Sequence, residues 1–384
     1  MTPRFGRLLH LGNVVIDIVL DVPALPERGG DVLATGTLLA AGGGFNVLAA
    51  AARQGLRAAY AGCHGSGPLA ALARAALAEA GIEVLQSPKA GGDTGFVVSI
   101  VDAGGERTFV TSPGAEATMT AADLAGIRAG SGDAVYLSGY GLVYPANQAA
   151  LLDWLGRLDE AVVVFADPGP LAHLVPPSVL DRVMARADWW SCNAREAEHL
   201  TGGRDPAAAA SALAARVGLQ EAGQHAATRQ EAGQPVATRQ EAGQPVATRQ
   251  EAGQHAATRQ EAGQRAATRQ EAGQRAAGQQ AGQPAAGPGR RGTPGVLVRT
   301  GPGGCLLCHR GAAPVHVPGF RVAVLDTTGA GDAHTGTFIA ALAGGADEID
   351  AARTANAAAA LSVTRPGPAT APTAAELARF LSGD

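Results

Sequence analysis

Three short runs limit what this chain can fold into more than any other feature: 133–139 (DAVYLSG), 161–169 (AVVVFADPG) and 187–193 (ADWWSCN). Each has an apolar centre, is too short for a core helix, and is closed by a polar or glycine-containing loop. A strand that is apolar on both sides must be covered on both faces. Helical stretches separate the runs, so consecutive strands are joined by crossovers and lie parallel. The pattern predicts an α/β chain with a mostly parallel sheet between two helical layers.

Other segments extend the alternation. The run 8–22 (LLHLGNVVIDIVLDV) reads as one strand with polar interruptions at Asn13 and Asp17. Residues 40–55 (AAGGGFNVLAAAARQG) read as a glycine turn followed by an alanine-rich helix. Strands are expected at 60–63, 81–85 and 94–101, and 105–115 is expected to pair with 94–101 as a hairpin. Short strands near 32–39, 94–101 and 106–112 predict a small β lid over one edge of the sheet.

One tract does not fit. EAGQHAATRQ at 221–230 recurs every ten residues through 270 and decays into Gly, Gln, Pro and Ala by 290. Its side chains offer Ala and an occasional Val, too little apolar surface to offset the entropy of ordering. Residues 220–290 are therefore expected to be a low-complexity, disordered insertion in a surface loop. Without it, 1–219 and 291–384 form a single domain of about 310 residues, with lid strands near 13–45 and 94–113.

Charge excludes some functions. The net charge is −4 and Lys89 is the only lysine, so no basic patch exists for nucleic acid or an anionic membrane. The first twenty residues carry Asp17 and no small-residue cleavage site, and no eighteen apolar residues run together, so a cytoplasmic chain without a membrane span is expected. Cys63, Cys192, Cys305 and Cys308 are too scattered for a disulfide framework. Cys305–His309 matches a haem-attachment pattern, but GVLVRTGPGGCLLCHR reads as two strands around a glycine turn, with cysteine as a small apolar residue.

The segment 326–332 (DTTGAGD) carries the chemistry. Helical spacing follows Asp332, which places the glycine turn at a helix N-terminus, where unpaired N–H groups and the helix dipole favour an anion. A capping role for Asp332 alone would not call for two neighbouring glycines or for Asp326. A second glycine turn, 41–46 (AGGGFN), opens another helix; its backbone admits a ligand closely, and Asn46 can donate and accept as a polyol requires. At the ends of the other expected strands stand Asp17, Asp167, Asn193 and Gly301.

With these residues in place, the chain resembles the ribokinase-like (PfkB) family of carbohydrate kinases over nearly its whole length except the repeats. The resemblance rests on AGGGFNVLAAAARQG with Gly65 in phase, Asn193-Ala-Arg-Glu196, Arg299-Thr-Gly301-Pro-Gly-Gly304, DTTGAGD, and NAAAALSVTRPGPATAP at 356–372. It implies a three-layer sandwich with a Rossmann-like sheet and a β lid, and transfer of the ATP γ-phosphoryl group to a hydroxyl of a small sugar. By position it implies Asp332 as catalytic base and Gly329, Ala330 and Gly331 as anion hole. Asp17, Gly42, Gly43 and Asn46 match sugar contacts. Asn193 and Glu196 match the motif that organises Mg2+ through water, Gly301 and Gly304 a turn beside the nucleotide, and Asn356 a position near adenine. Asp326, Thr328, Ser362, Arg365 and Gly367 fall where relatives hold a monovalent cation such as K+, mostly by main-chain oxygens. A homodimer joined through the lid belongs to the same expectation.

The chain also departs from the pattern. Leu48 and Thr337 stand at usually small positions, His334 stands where Phe is usual, and Gly44 and Phe45 replace a turn that carries Lys in ribokinases proper. The loop Ser138-Gly139-Tyr140 lacks the acidic residue that ribokinases offer their sugar, which puts ribose itself in question. Two alternatives stay open: a nucleoside kinase, with Phe45, Phe96 or Phe109 stacking a base, and a non-catalytic sugar- or nucleotide-binding regulator. Aromatic residues form 4% of the chain, which favours a bare sugar.

Overall fold

Neighbouring side chains in each central strand enter different cores. Leu9, Val135, Val164, Trp190 and Val298 fill one, while Leu8, Tyr136, Phe165, Trp189 and Leu297 fill the other. This alternation is the physical signature of a sheet covered on both faces. The computed structural model describes residues 4–219 and 292–383; the repeat tract and the disorder expected of it lie outside these residues.

The strands, numbered in chain order, form two sheets. The larger has the order β13-β12-β11-β10-β9-β8-β1-β4-β5. Its members are β1 (Arg7–His10), β4 (Arg57–Tyr60), β5 (Glu83–Val84), β8 (Asp133–Ser138), β9 (Val163–Asp167), β10 (Trp189–Asn193), β11 (Gly295–Arg299), β12 (Gly304–His309) and β13 (Val315–Pro318). From β11 to β5 the neighbours are parallel, and β12 and β13 are antiparallel additions at one edge. The smaller sheet is the lid, β3-β2-β6-β7, built from β2 (Val14–Asp21), β3 (Gly36–Gly43), β6 (Phe96–Val101) and β7 (Arg107–Ser112).

The expected single strand over 8–22 is in fact two strands in two sheets. Gly12 marks the break, since a Cβ there would strike the His10 ring. The Tyr60 hydroxyl secures the exit, donating to the Cys63 carbonyl at 2.7 Å and accepting from the Val14 N–H at 3.3 Å. Other boundaries move as well. Residues 40–43 complete β3 through residue-by-residue pairing with β2 rather than forming a loop. The strand expected at 60–63 ends at Tyr60, and that at 81–85 shrinks to Glu83–Val84.

Helices Gly44–Arg53, Pro68–Glu79, Ala330–Ala343 and Glu348–Ser362 cover one face, and Pro145–Gly156, Pro177–Arg186, Ala194–Thr201 and Pro206–Ala214 the other. No helix among the described residues is long and apolar enough to cross a membrane. Cys305 and Cys308 sit on opposite faces of β12, each in a different core, as their reading as small apolar residues requires.

The chain leaves β1 toward β4 on one side and continues from β8 toward β11 on the other. Strand order therefore reverses between β1 and β8, and in open α/β sheets a crevice opens at the carboxyl ends of such strands. Gly336 closes the same region from above. A Cβ on it would collide with the Val47 carbonyl and come within 2.7 Å of the Ala50 methyl, so the helices Gly44–Arg53 and Ala330–Ala343 pack backbone to backbone.

Candidate active site

That close packing places the two glycine turns side by side. Gly329 caps the helix Ala330–Ala343 in the left-handed region at φ 73°, and Asp332 lies in the first turn. Its Oδ2 accepts a hydrogen bond from Asn46 Nδ2 at 3.1 Å. Burial pushes the Asp332 carboxyl up to about 6; the Asn46 amide draws it back, Asp167 adds to the rise, and Arg299 opposes it.

Asp17 reaches toward the same point from β2. Gly42 makes room for it, since a Cβ at that position would overlap the Asp17 carboxylate. Burial, reinforced by the charge of Asp332, pushes Asp17 up to about 7.

Two cavities meet at the Asp332 turn. One, of about 220 Å³, is lined by Gly43, Tyr140, Asp167, Glu196, Arg299 and Asp332 among others. The second, of about 570 Å³, is mainly apolar and runs past Gly301, Gly304, Phe320, His334, Asn356 and Val363. Asn193, Arg299, Thr327, Ala330 and Gly331 line both. A third cleft, of about 410 Å³, lies under the lid, with Asp17, Asp21, Ser99, Arg107 and Phe109 facing 324–328.

Asn193 and Glu196 cap the helix Ala194–Thr201 reciprocally. Asn193 Oδ1 accepts from the Glu196 N–H at 2.9 Å, and Glu196 Oε2 accepts from the Asn193 N–H at 2.7 Å. Burial raises the Glu196 carboxyl, Asp167 adds to the rise, and Arg299 pulls it down.

Arg299 was not assigned a role by the sequence reading, and it is the hub of the site. Its guanidinium donates to Asp167 Oδ2 at 2.9 Å, Ser191 Oγ at 2.6 Å and Thr335 Oγ1 at 2.9 Å, and lies 3.7 Å from Glu196. It also runs beneath the anion turn, with several atoms 3.6 Å from where a Gly331 Cβ would stand. Asp167, noted in the sequence only as a strand end, shares this cluster. The guanidinium is balanced by its carboxylate partners, so the preference for an anion here rests on the N–H groups of the helix N-terminus, with Arg299 lying beneath it.

Asn356 lines the apolar cleft, and its own polar atoms are engaged. Its Nδ2 donates to the carbonyls of Val317 and Pro318 at 3.0 and 3.1 Å, which turns Oδ1 toward His334 Nε2 at 3.1 Å. The proton of His334 is thereby placed on Nε2, and burial keeps the ring neutral by lowering it to about 3.

Three of the expected cation-holding residues come together. Asp326 accepts from the Thr328 N–H at 2.8 Å and the Gly367 N–H at 2.9 Å, and Arg107 of the lid pairs with the same carboxylate. Donors of the chain thus occupy the Asp326 side chain, leaving main-chain oxygens as the groups that suit an ion. Ser362 offers a carbonyl that takes Thr370 Oγ1 at 3.0 Å, while the Arg365 side chain turns away to Glu376 at 2.8 Å. Of the candidate stacking aromatics, Phe45 is buried, Phe96 packs partly buried against the core, and Phe109 is 58% exposed under the lid.

Comparison with known proteins gives a consistent picture. The family model for pfkB family carbohydrate kinases matches residues 7–250 and 258–375. A sugar kinase of Escherichia coli K12 named YegV, described as uncharacterized, is 34% identical over 192 residues; these make up 50% of this chain and 59% of that protein. Among solved structures, adenosine kinase from Sinorhizobium meliloti has a TM-score of 0.68 at 17% identity, covering 99% of this chain and 100% of that one. Ribokinase from Arabidopsis thaliana, complexed with ribose and ATP, has a TM-score of 0.64 at 20% identity, covering 99% of each chain.

Proposed function

Because this chain belongs to the pfkB family of carbohydrate kinases, we propose that it transfers the γ-phosphoryl group of ATP to a hydroxyl of a small sugar. One observation carries the reading: a carboxyl group held by Asn46 at a helix N-terminus, where an apolar cleft meets a polar cavity.

In this reading the nucleotide lies along the cleft from Gly301 to Asn356, with its terminal phosphate on the turn Gly329–Gly331. The sugar binds among Asp17, Gly42, Gly43 and Asn46. Asp332 accepts the proton of the attacking hydroxyl as its oxygen forms a bond to phosphorus and the bond to the ADP oxygen breaks. A carboxyl that takes up protons near 6 suits this task, being ionised at neutral pH yet more basic than an exposed aspartate. Asn46 fixes the base, and the N–H groups of the turn with Arg299 meet the charge on the transferred group.

Glu196 and Asn193 line the polar cavity with side chains that cap one another, so they would hold a Mg2+ ion mainly through water, with the phosphates as its direct ligands. When bound, that ion would neutralise phosphate charge. A monovalent ion would rest on main-chain oxygens near Asp326, Thr328, Ser362, Arg365 and Gly367, and K+ in place of a bulky organic cation is expected to raise turnover. Exposed Leu38, Leu39 and Val110 on the lid strands support a homodimer through the lid.

A coupled ADP-release screen over pentoses, hexoses, sugar phosphates and nucleosides tests the reading. Nucleosides belong in the panel because Phe109 lies in the lid cleft, where it could stack a base. Turnover of sugars supports the proposal, turnover of nucleosides alone replaces it with the nucleoside reading, and none at all leaves the binding-regulator alternative.

A further inference from the structure

Behind the Asp332 turn runs a segment whose backbone is held by side chains from elsewhere. Ala369 stands at φ 54°, the one non-glycine residue at positive φ among the described residues. Its Cβ disfavours that conformation, and such residues persist only where their surroundings over-determine them. Here the four successive carbonyls of residues 369–372 all accept from side chains. Those of Ala369 and Ala371 accept from Arg53 Nη1, the second at 2.8 Å. That of Thr370 accepts from Arg365 Nη1 at 3.4 Å, and that of Pro372 from Gln54 Nε2 at 2.8 Å. Arg53 and its C-cap neighbour Gln54 end the helix whose first turn carries Asn46. The held segment in turn touches the catalytic turn. The Ala369 nitrogen lies 3.4 Å from where a Gly329 Cβ would stand. Ala371 is buried with Ala50 and Ala333 in a small cluster, and Ala333 follows Asp332 directly. The Gly367 N–H completes the connection, donating to Asp326 at 2.9 Å.

We propose that Arg53 is a positioning residue for phosphoryl transfer: by holding Ala369 at positive φ it keeps the segment 367–371 against Gly329 and Ala333, and so fixes the turn that meets the transferred group. The inference rests on the kinase reading above. Arg53 lies at the surface and lines neither of the two cavities that meet at Asp332, so its effect runs through the segment it holds. Without its two hydrogen bonds Ala369 relaxes toward negative φ, and the turn loses its backing. Transfer depends on the placement of the reacting atoms, and a displacement of about 1 Å can cost about 10²-fold in rate.

Arg53→Met keeps the apolar stem and removes the donors. With a sugar that the wild type phosphorylates, at fixed Mg-ATP and K+, kcat is expected to fall between about 10- and 10²-fold, with KM for the sugar little changed. Hydrogen exchange at the amides of Asp326, Thr328 and Gly367, all hydrogen bonded in the wild type, is expected to quicken. Glycine adopts positive φ as readily as negative φ. In an Ala369→Gly background the same Arg53→Met change is therefore expected to have little effect on either readout. Arg53→Lys, which keeps a donor, should fall between wild type and Arg53→Met. Wild-type kcat in Arg53→Met overturns the proposal. A loss of equal size in both backgrounds also overturns it, because Arg53 would then act by packing and not through Ala369. So does amide exchange that Arg53→Met leaves unchanged, whatever the rates. If the wild type phosphorylates no sugar or nucleoside, exchange decides alone: quickening that Ala369→Gly suppresses supports the clamp, and the missing turnover counts against the kinase reading only.

Discussion

Asn46 and Asp332 are 286 residues apart, and the Asn46 amide donates to the Asp332 carboxylate at 3.1 Å. This bond joins the helices that open at the two glycine turns, and it favours the ionised base. In the wild type, kcat/KM should fall with acid as Asp332 takes up a proton, with a midpoint near 6. Asn46→Leu removes the hydrogen bond that draws that carboxyl down, so the acid limb should move to higher pH as kcat drops. A pH–rate profile of the variant that keeps the wild-type acid limb would show that the bond does not tune the base.

The same burial makes Asp332 costly to the fold. Its carboxyl is raised to about 6 from an ordinary 3.8. The folded state therefore binds the proton more tightly than the unfolded chain. The cost is absent below about pH 4 and fully present above about pH 6. Asp332→Asn should thus be more stable than wild type at pH 8, by on the order of 1–3 kcal/mol, and the gain should vanish toward pH 4. Denaturant unfolding at the two pH values checks this, and equal stability at pH 8 would speak against a strained carboxylate.

Arg299 balances Asp167 and Glu196 inside the protein. Arg299→Met leaves those carboxylates without a counter-charge, and breaking a buried ion pair in this way costs about 3–5 kcal/mol. Adding Asp167→Asn to the same chain should restore part of the loss. Unfolding midpoints of the single and double variants decide it; a single variant as stable as wild type would mean that the cluster is held by its hydroxyl partners instead.

The sequence made the sheet legible because buried parallel strands leave continuous apolar runs, and the DTTGAGD turn because glycines crowd a helix start. What it concealed depends on distant contacts. Nothing in 8–22 except Gly12 signals that β1 and β2 part company, since both are equally apolar. Arg299 stood in the sequence only as the first residue of a glycine-turn motif, because its partner Asp167 is 132 residues away. Gly336 drew no notice within its helix, though it sets how closely Asn46 approaches Asp332.

The central claim is that Asp332 acts as the base, and turnover by Asp332→Asn tests it most directly. Asparagine keeps the shape and the fit at the helix start but cannot take the substrate's proton. With a sugar that the wild type phosphorylates, kcat should fall by about 10²–10⁴-fold, the usual contribution of general-base catalysis, while the sugar Kd changes far less. A variant that keeps more than about a tenth of wild-type kcat, below the low end of that range, would contradict the account and leave the turn as a phosphate-binding loop without a chemical role.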